Sequence, residues 1–219
     1  MERLIQLLVP ALMETLYMSI MATLFGVIFG TCLGVLLKVT ERGFIASNPV
    51  IYRGLSYFVN IGRSFPFVIL MIGIMPMTRA MVGSSIGTGA AVVPLSLATI
   101  PFFARIVESA LGEVDYGLIE AAQSMGATNG EIIGKVLLPE SVSPLVLGVT
   151  ITFVNVIGYS AMAGVVGGGG LGDLAIRYGY HRFDSEVMLS TILVLVVLVT
   201  TVQWTGSYIA NTVNRRKSS

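Results

Sequence analysis

Thr15-Leu-Tyr-Met-Ser-Ile-Met-Ala-Thr-Leu-Phe-Gly-Val-Ile-Phe-Gly-Thr-Cys-Leu-Gly-Val-Leu-Leu37 is a run of 23 residues without a charge. As an α-helix rising about 1.5 Å per residue it reaches roughly 34 Å, enough to cross the hydrocarbon core of a bilayer. Four more uncharged runs follow: Ser64 to Thr78 (15 residues), Ala80 to Ala104 (25), Ser141 to Gly172 (32) and Val187 to Asn214 (28). The shortest suffices if it begins near Ser56 and carries Arg63 at headgroup level, where a long cationic side chain snorkels. The expectation is an all-α integral membrane protein with five transmembrane helices, at about 12–38, 56–78, 80–104, 141–166 and 187–211, forming one domain over 1–219.

Composition agrees. Only 11% of the 219 residues are charged and 54% are hydrophobic, whereas a soluble domain carries about 25% charge. The mean hydropathy is +0.85, so lipid must serve as solvent for much of the surface. A β-barrel would show strands of alternating polarity, yet Ile192 to Val199 is apolar at every position. A signal peptide has an apolar stretch of about 7 to 15 residues, shorter than the first run, which is therefore read as a retained span. A formal charge of +1 gives no reason to expect nucleic acid as a partner, and Cys32, the only cysteine, excludes an intrachain disulfide.

Basic loops stay in the cytoplasm. With the N-terminus outside, the inner side collects Lys38, Arg42, Arg53, Arg63, Arg105, Lys135, Arg215, Arg216 and Lys217, and the outer side Arg3, Arg79, Arg177 and Arg182. The nine-to-four bias favours N-out, C-in.

One charged island interrupts the apolar sequence: Arg105 to Glu140 holds eight charges in 36 residues and must leave the lipid. Asp115 is placed to cap a helix in which Leu118, Ala122 and Met125 share a face, with Gly126 ending it. Thr128-Asn-Gly-Glu131 reads as a capping box for a second helix that Pro139 stops, and Ser143-Pro144 suits the start of the fourth span. This cytoplasmic helix-turn-helix at 105–140, with a small-residue ridge at Ala121 and Ala122, is either a solvated loop or a handle for another protein's groove.

Glu120-Ala121-Ala122, three residues, Gly126, nine residues, Val136, one residue and Leu138-Pro139 resembles the cytoplasmic EAA motif of permease subunits of bacterial ABC importers. Val136 stands where isoleucine is common. Arg63-Ser-Phe-Pro66 is similar to the Arg-x-x-Pro element of the same permeases. Gly158-Tyr-Ser-Ala-Met162, Gly167 to Gly172 and Arg177-Tyr-Gly-Tyr180 resemble the methionine-uptake permeases among them. The resemblance implies that Glu120, Ala121, Ala122, Gly126, Leu138 and Pro139 contact an ATP-hydrolysing subunit. It further implies a pair of permease copies, two ATPase subunits that bind ATP and Mg, an extracytoplasmic binding protein that delivers substrate, and a bacterial cytoplasmic membrane location.

Other candidate chemistry is thin. Gly167 to Gly172 lacks the Lys-Ser/Thr of a phosphate-binding loop, and reads as a flexible or tightly packed link. The sole histidine, His181, has no Cys or His neighbour to complete a metal site, and nothing places it beside a nucleophile, so no catalytic residue, metal or bound cofactor is expected. Polar groups at lipid depth are costly unless they face partners or water, which singles out Asn155, Tyr159, Ser160 and Met162 in the fourth span. They either line a substrate path or bind neighbouring helices. Asn155, Tyr159 and Met162, spaced by four and three, share one face, and soft sulfur and aromatic contacts suit methionine. A permease for another small amino acid or peptide is the nearest alternative. A self-sufficient channel or secondary transporter would need ionisable groups within the spans, and the first, third and fifth runs have none.

Overall fold

The computed structural model describes residues 2–217, with the backbone alone for 214–217; the side chains of Arg215, Arg216 and Lys217, counted above for orientation, lie outside the described residues. Among the described residues there is no strand. Four helices are long and apolar enough to cross a membrane: α1 (Glu2–Thr40), α5 (Thr88–Gly112), α9 (Val142–Val165) and α11 (Ser185–Lys217). Shorter helices join them: α2 (Pro49–Ser64), α3 (Phe67–Gly73), α4 (Met75–Val82), α6 (Tyr116–Ser124), α7 (Asn129–Ile132), α8 (Leu138–Glu140) and α10 (Gly170–Leu174).

The expected second span is not one helix. The chain bends by 97° between α2 and α3, because a residue preceding proline is driven out of the helical region: Phe65 adopts φ −75°, ψ 126° and Pro66 follows at φ −57°, ψ 130°. A further break at Ile74 separates α3 from α4. The third helix also differs, beginning at Thr88 rather than Ala80 and running through Arg105 and Glu108 to Gly112. An uncharged run marks what lipid tolerates, not where a helix stops. Paired charges let α5 continue.

The bundle is organised on close backbone approach. Gly26, Gly30 and Gly34 form a small-xxx-small stripe on α1 that packs against α5; a Cβ on Gly34 would lie 2.5 Å from the Ala104 carbonyl oxygen. Without water to drive helices together, such contacts are how membrane helices associate. Gly206 of α11 likewise receives the Thr150 side chain of α9.

The link after the fourth span is tightly packed. The Gly170 N–H donates to Glu14 Oε2 at 2.7 Å and the Leu171 N–H to Thr15 Oγ1 at 2.8 Å, so α1 supplies the cap of α10. Gly167, Gly169 and Gly170 all sit at φ near +80°, where side chains are disfavoured. Leu171 and Leu174 are buried with Ala11 and Val187, and a π-helical turn (Ala175–Tyr180) leads out.

Candidate functional site

The charged segment 105–140 is built from the end of α5. Asp115 caps α6, its Oδ1 accepting from the Gly117 N–H at 2.8 Å. Ile119 and Ala122 of α6 are buried in one cluster with Phe103, Val107 and Leu111 of α5 and with Ile132 and Leu137 beyond. This corrects the expected apolar face: Leu118 and Met125 are exposed, Met125 at 82%, and Ile119 takes the inward position. The expected ridge divides as well. Ala122 roots the helix in its own core, while Glu120, Ala121 and Gly126 face outward with Tyr116, Leu118 and Met125. Gly126 ends the helix at φ +80° with open space where a Cβ would stand.

The second half forms the capping box. Glu131 N–H donates to Thr128 Oγ1 at 3.4 Å, and Glu131 Oε2 accepts from the Thr128 N–H and hydroxyl, each at 3.0 Å. The Lys135 ammonium, donating to Oε1 at 2.9 Å, together with the Thr128 donors holds the Glu131 carboxyl at about 2, well below the usual carboxylate range. Glu131 is therefore ionised throughout the physiological range.

Pro139 does not stop the helix, as the sequence suggested. A π turn at Ile133–Leu137 widens the coil, with Leu138 N–H bonding Ile133 O five residues back. The chain then passes through Pro139 in α8 and breaks at Ser141. Ser141 Oγ donates to Ala110 O at 3.1 Å, tying this break to α5. Pro144 stands three residues into the chain of α9, which starts at Val142. Leu138 packs half-buried on the α5–α6 cluster, and Pro139 is exposed.

The second set lies on α9. Tyr159 stacks on Phe67 of α3, ring centroids 4.8 Å apart and planes within 9°. Asn155 is half-buried and Met162 is 46% exposed on the same side of the helix. Ser160 is buried, its hydroxyl donating to Ile157 O at 2.7 Å within its own helix, so it turns away from the other three. Phe67 escaped the sequence reading; its only signal was its place directly after the Phe65-Pro66 bend. Among the described residues no three of His, Cys, Asp and Glu gather where they could hold a metal ion.

Residues 26–215 match the family described as binding-protein-dependent transport system inner membrane component. The chain belongs to this family. The permease is thus a multi-pass protein of the bacterial inner membrane. It is 51% identical over 210 residues to the probable D-methionine transport system permease protein MetI of Vibrio cholerae serotype O1, covering 96% of this chain and 93% of that one. Over 206 residues it is 47% identical to the methionine import system permease protein MetP of Bacillus subtilis, covering 94% and 93%. A solved structure of the MetNI methionine ABC transporter in inward-facing conformations superposes with a TM-score of 0.96 at 47% identity, over 97% of the permease and 99% of that chain. An amino acid ABC transporter at 20% identity shares the fold, with a TM-score of 0.78.

Proposed function

We propose that the permease imports methionine across the inner membrane as a pair of copies driven by two separate ATPase subunits. The observation that carries the reading is the outward face of α6, where Glu120, Ala121 and Gly126 are left uncovered while Ile119 and Ala122 anchor the helix to α5. In this reading that face, with Pro139 and the edge of Leu138, seats in a cleft of the ATPase, which binds ATP and Mg. Closure of the two ATPases displaces α6, and the rigid α5–α6 core passes the movement to the spans, exchanging inward-open for outward-open states. An extracytoplasmic binding protein delivers the substrate. The broken α2–α3 pair counts as the fifth crossing, with the N-terminus outside and the C-terminus inside. A reporter enzyme that works only outside the membrane, fused after Ser219, is expected to be silent; activity there overturns the orientation.

The substrate path is assigned to the α9 face carrying Asn155, Tyr159 and Met162, with Phe67 added by its stack on Tyr159 and Ser160 supporting the helix from behind. A thioether against an aromatic ring gains about 0.3 to 1.5 kcal/mol per contact. The Tyr159→Ala/Met162→Ala pair is therefore expected to raise the methionine concentration giving half-maximal uptake by roughly tenfold. The measurement is ATP-dependent uptake of labelled methionine by vesicles containing permease and ATPase. Unchanged uptake by the double variant moves the site elsewhere. Uptake by the unaltered protein that persists without ATP, on an ion gradient alone, refutes the ATP-driven reading.

A further inference from the structure

The α5 helix carries a charged pair near its carboxy-terminal end, and the mechanism above gives it no task. Arg105 Nη1 donates to Glu108 Oε2 at 2.5 Å, and both side chains are largely enclosed, at 19% and 14% exposure. The remaining bonds all reach α2. Arg105 Nη2 donates to Ser56 Oγ at 2.5 Å, to Ser56 O at 3.1 Å and to Asn60 Oδ1 at 3.0 Å. Glu108 Oε1 accepts from the Tyr52 hydroxyl at 3.1 Å. Tyr52, Ser56 and Asn60 recur every four residues, so a single face of α2 is pinned to two residues of α5. Below the polar contacts, Val59 of α2 is buried with Leu37 and Ala104.

A guanidinium forking into several acceptors holds position better than apolar packing, because its donors are fixed in one plane and enclosure strengthens each bond. Such a clamp makes two helices move together. At one end, Arg105 lies seven residues before the end of α5, about 10 Å at 1.5 Å per residue, and α5 is fused to α6 through the Phe103, Val107, Leu111, Ile119 and Ala122 cluster. At the other end, α2 leads across the 97° bend to Phe67, which stacks on Tyr159.

We infer that the Arg105–Glu108 pair is the positioning linkage that carries displacement of the α6 coupling helix into α2, and through the Phe65–Pro66 bend to Phe67. The inference rests on the ATP-driven reading of the coupling segment. Tyr52, Ser56 and Asn60 are then the receiving end, and loss of the Ser56 and Asn60 side-chain acceptors loosens the Arg105 half of the clamp so that α2 lags behind α5.

The test uses the assembled permease–ATPase complex in vesicles with labelled methionine as probe, and reads methionine transported per ATP hydrolysed. The Ser56→Ala/Asn60→Ala double variant leaves the Arg105–Glu108 pair intact and is expected to keep hydrolysis within about twofold while the ratio falls at least tenfold. Asn60→Asp retains an acceptor at the same place and is expected to hold the ratio near that of the unaltered complex. A double variant with an unchanged ratio overturns the linkage, including the case where hydrolysis and uptake decline in proportion. If the double variant does not assemble, Asn60→Ala alone is read by the same ratio. An unaltered complex whose uptake ignores ATP refutes the functional reading itself, whereas a coupled complex with an unaffected variant refutes only the linkage.

Discussion

Replacing Ala121 by aspartate is expected to abolish methionine uptake while the protein still inserts, dimerises and accumulates at the normal level. Ala121 is exposed on α6, so the substitution meets no neighbour within its own chain, and its intrinsic cost is the helix preference of aspartate, about 0.5 to 0.7 kcal/mol. On the proposed docking the cost falls on the complex. A carboxylate carried into a closed groove without a partner costs about 3 to 5 kcal/mol, or roughly two to four powers of ten in affinity. The expected result is loss of the ATPase from a gentle detergent extract and of substrate-stimulated hydrolysis. Ala122→Asp is the contrasting control: it places the charge in the core shared with Ile119 and Ile132 and is expected to remove the protein itself. An Ala121→Asp protein that keeps its ATPase and transports normally would exclude this face as the docking handle.

A larger structural loss is expected from Gly172→Val. A Cβ built on Gly172 would run into the Ala161 carbonyl oxygen and lie 2.5 Å from Ala161 Cα, and on the facing residue Gly164 a Cβ would run into the Asp173 nitrogen. These obstacles are backbone atoms, so no rotamer change relieves them, and α10 must separate from α9. Ordinary overpacking costs about 1 to 3 kcal/mol; a main-chain clash exceeds that range and consumes much of a typical stability of about 5 to 15 kcal/mol. Quantifying folded protein by detergent size exclusion should show near-complete loss. Gly130→Ala, at a position where nothing lies within 4 Å of the added carbon, is expected to be neutral in the same assay. Normal yield of Gly172→Val would mean that the α9–α10 contact does not organise the fold.

A long helix stands on the first, fourth and fifth uncharged runs, where length and apolarity alone decide whether a helix suits lipid, although α1 begins at Glu2, well before the expected position 12. The runs ended α5 too early, since Arg105 and Glu108 neutralise one another and bond to α2, a tertiary rescue invisible to a charge count. The expected single helix over the second run failed differently: Pro66 restricts the backbone of Phe65, a purely local effect that splits the helix and that a count of apolar residues passes over. In the charged segment 105–140 the caps were legible as local chemistry, Asp115 and Thr128 with Glu131 acting where spacing placed them. The buried side of α6 was not, because Ile119 and Leu118 are neighbours of equal apolarity and only the position of α5 chooses between them. On α9 the shared face of Asn155, Tyr159 and Met162 followed from helical spacing, whereas Phe67 depended on how a distant bend folds back.

Because α10 takes its cap from Glu14 and Thr15, residues separated from it by 156 positions in the chain, the amino-terminal helix and the glycine-rich return behave as one inherited block. Chimeras that exchange the first helix between permeases should therefore be cut so that both pieces come from one parent, or the donor's own acceptors must be grafted along with it. Recombination that splits the two would leave free N–H groups at the start of α10 and loosen its seat against α1.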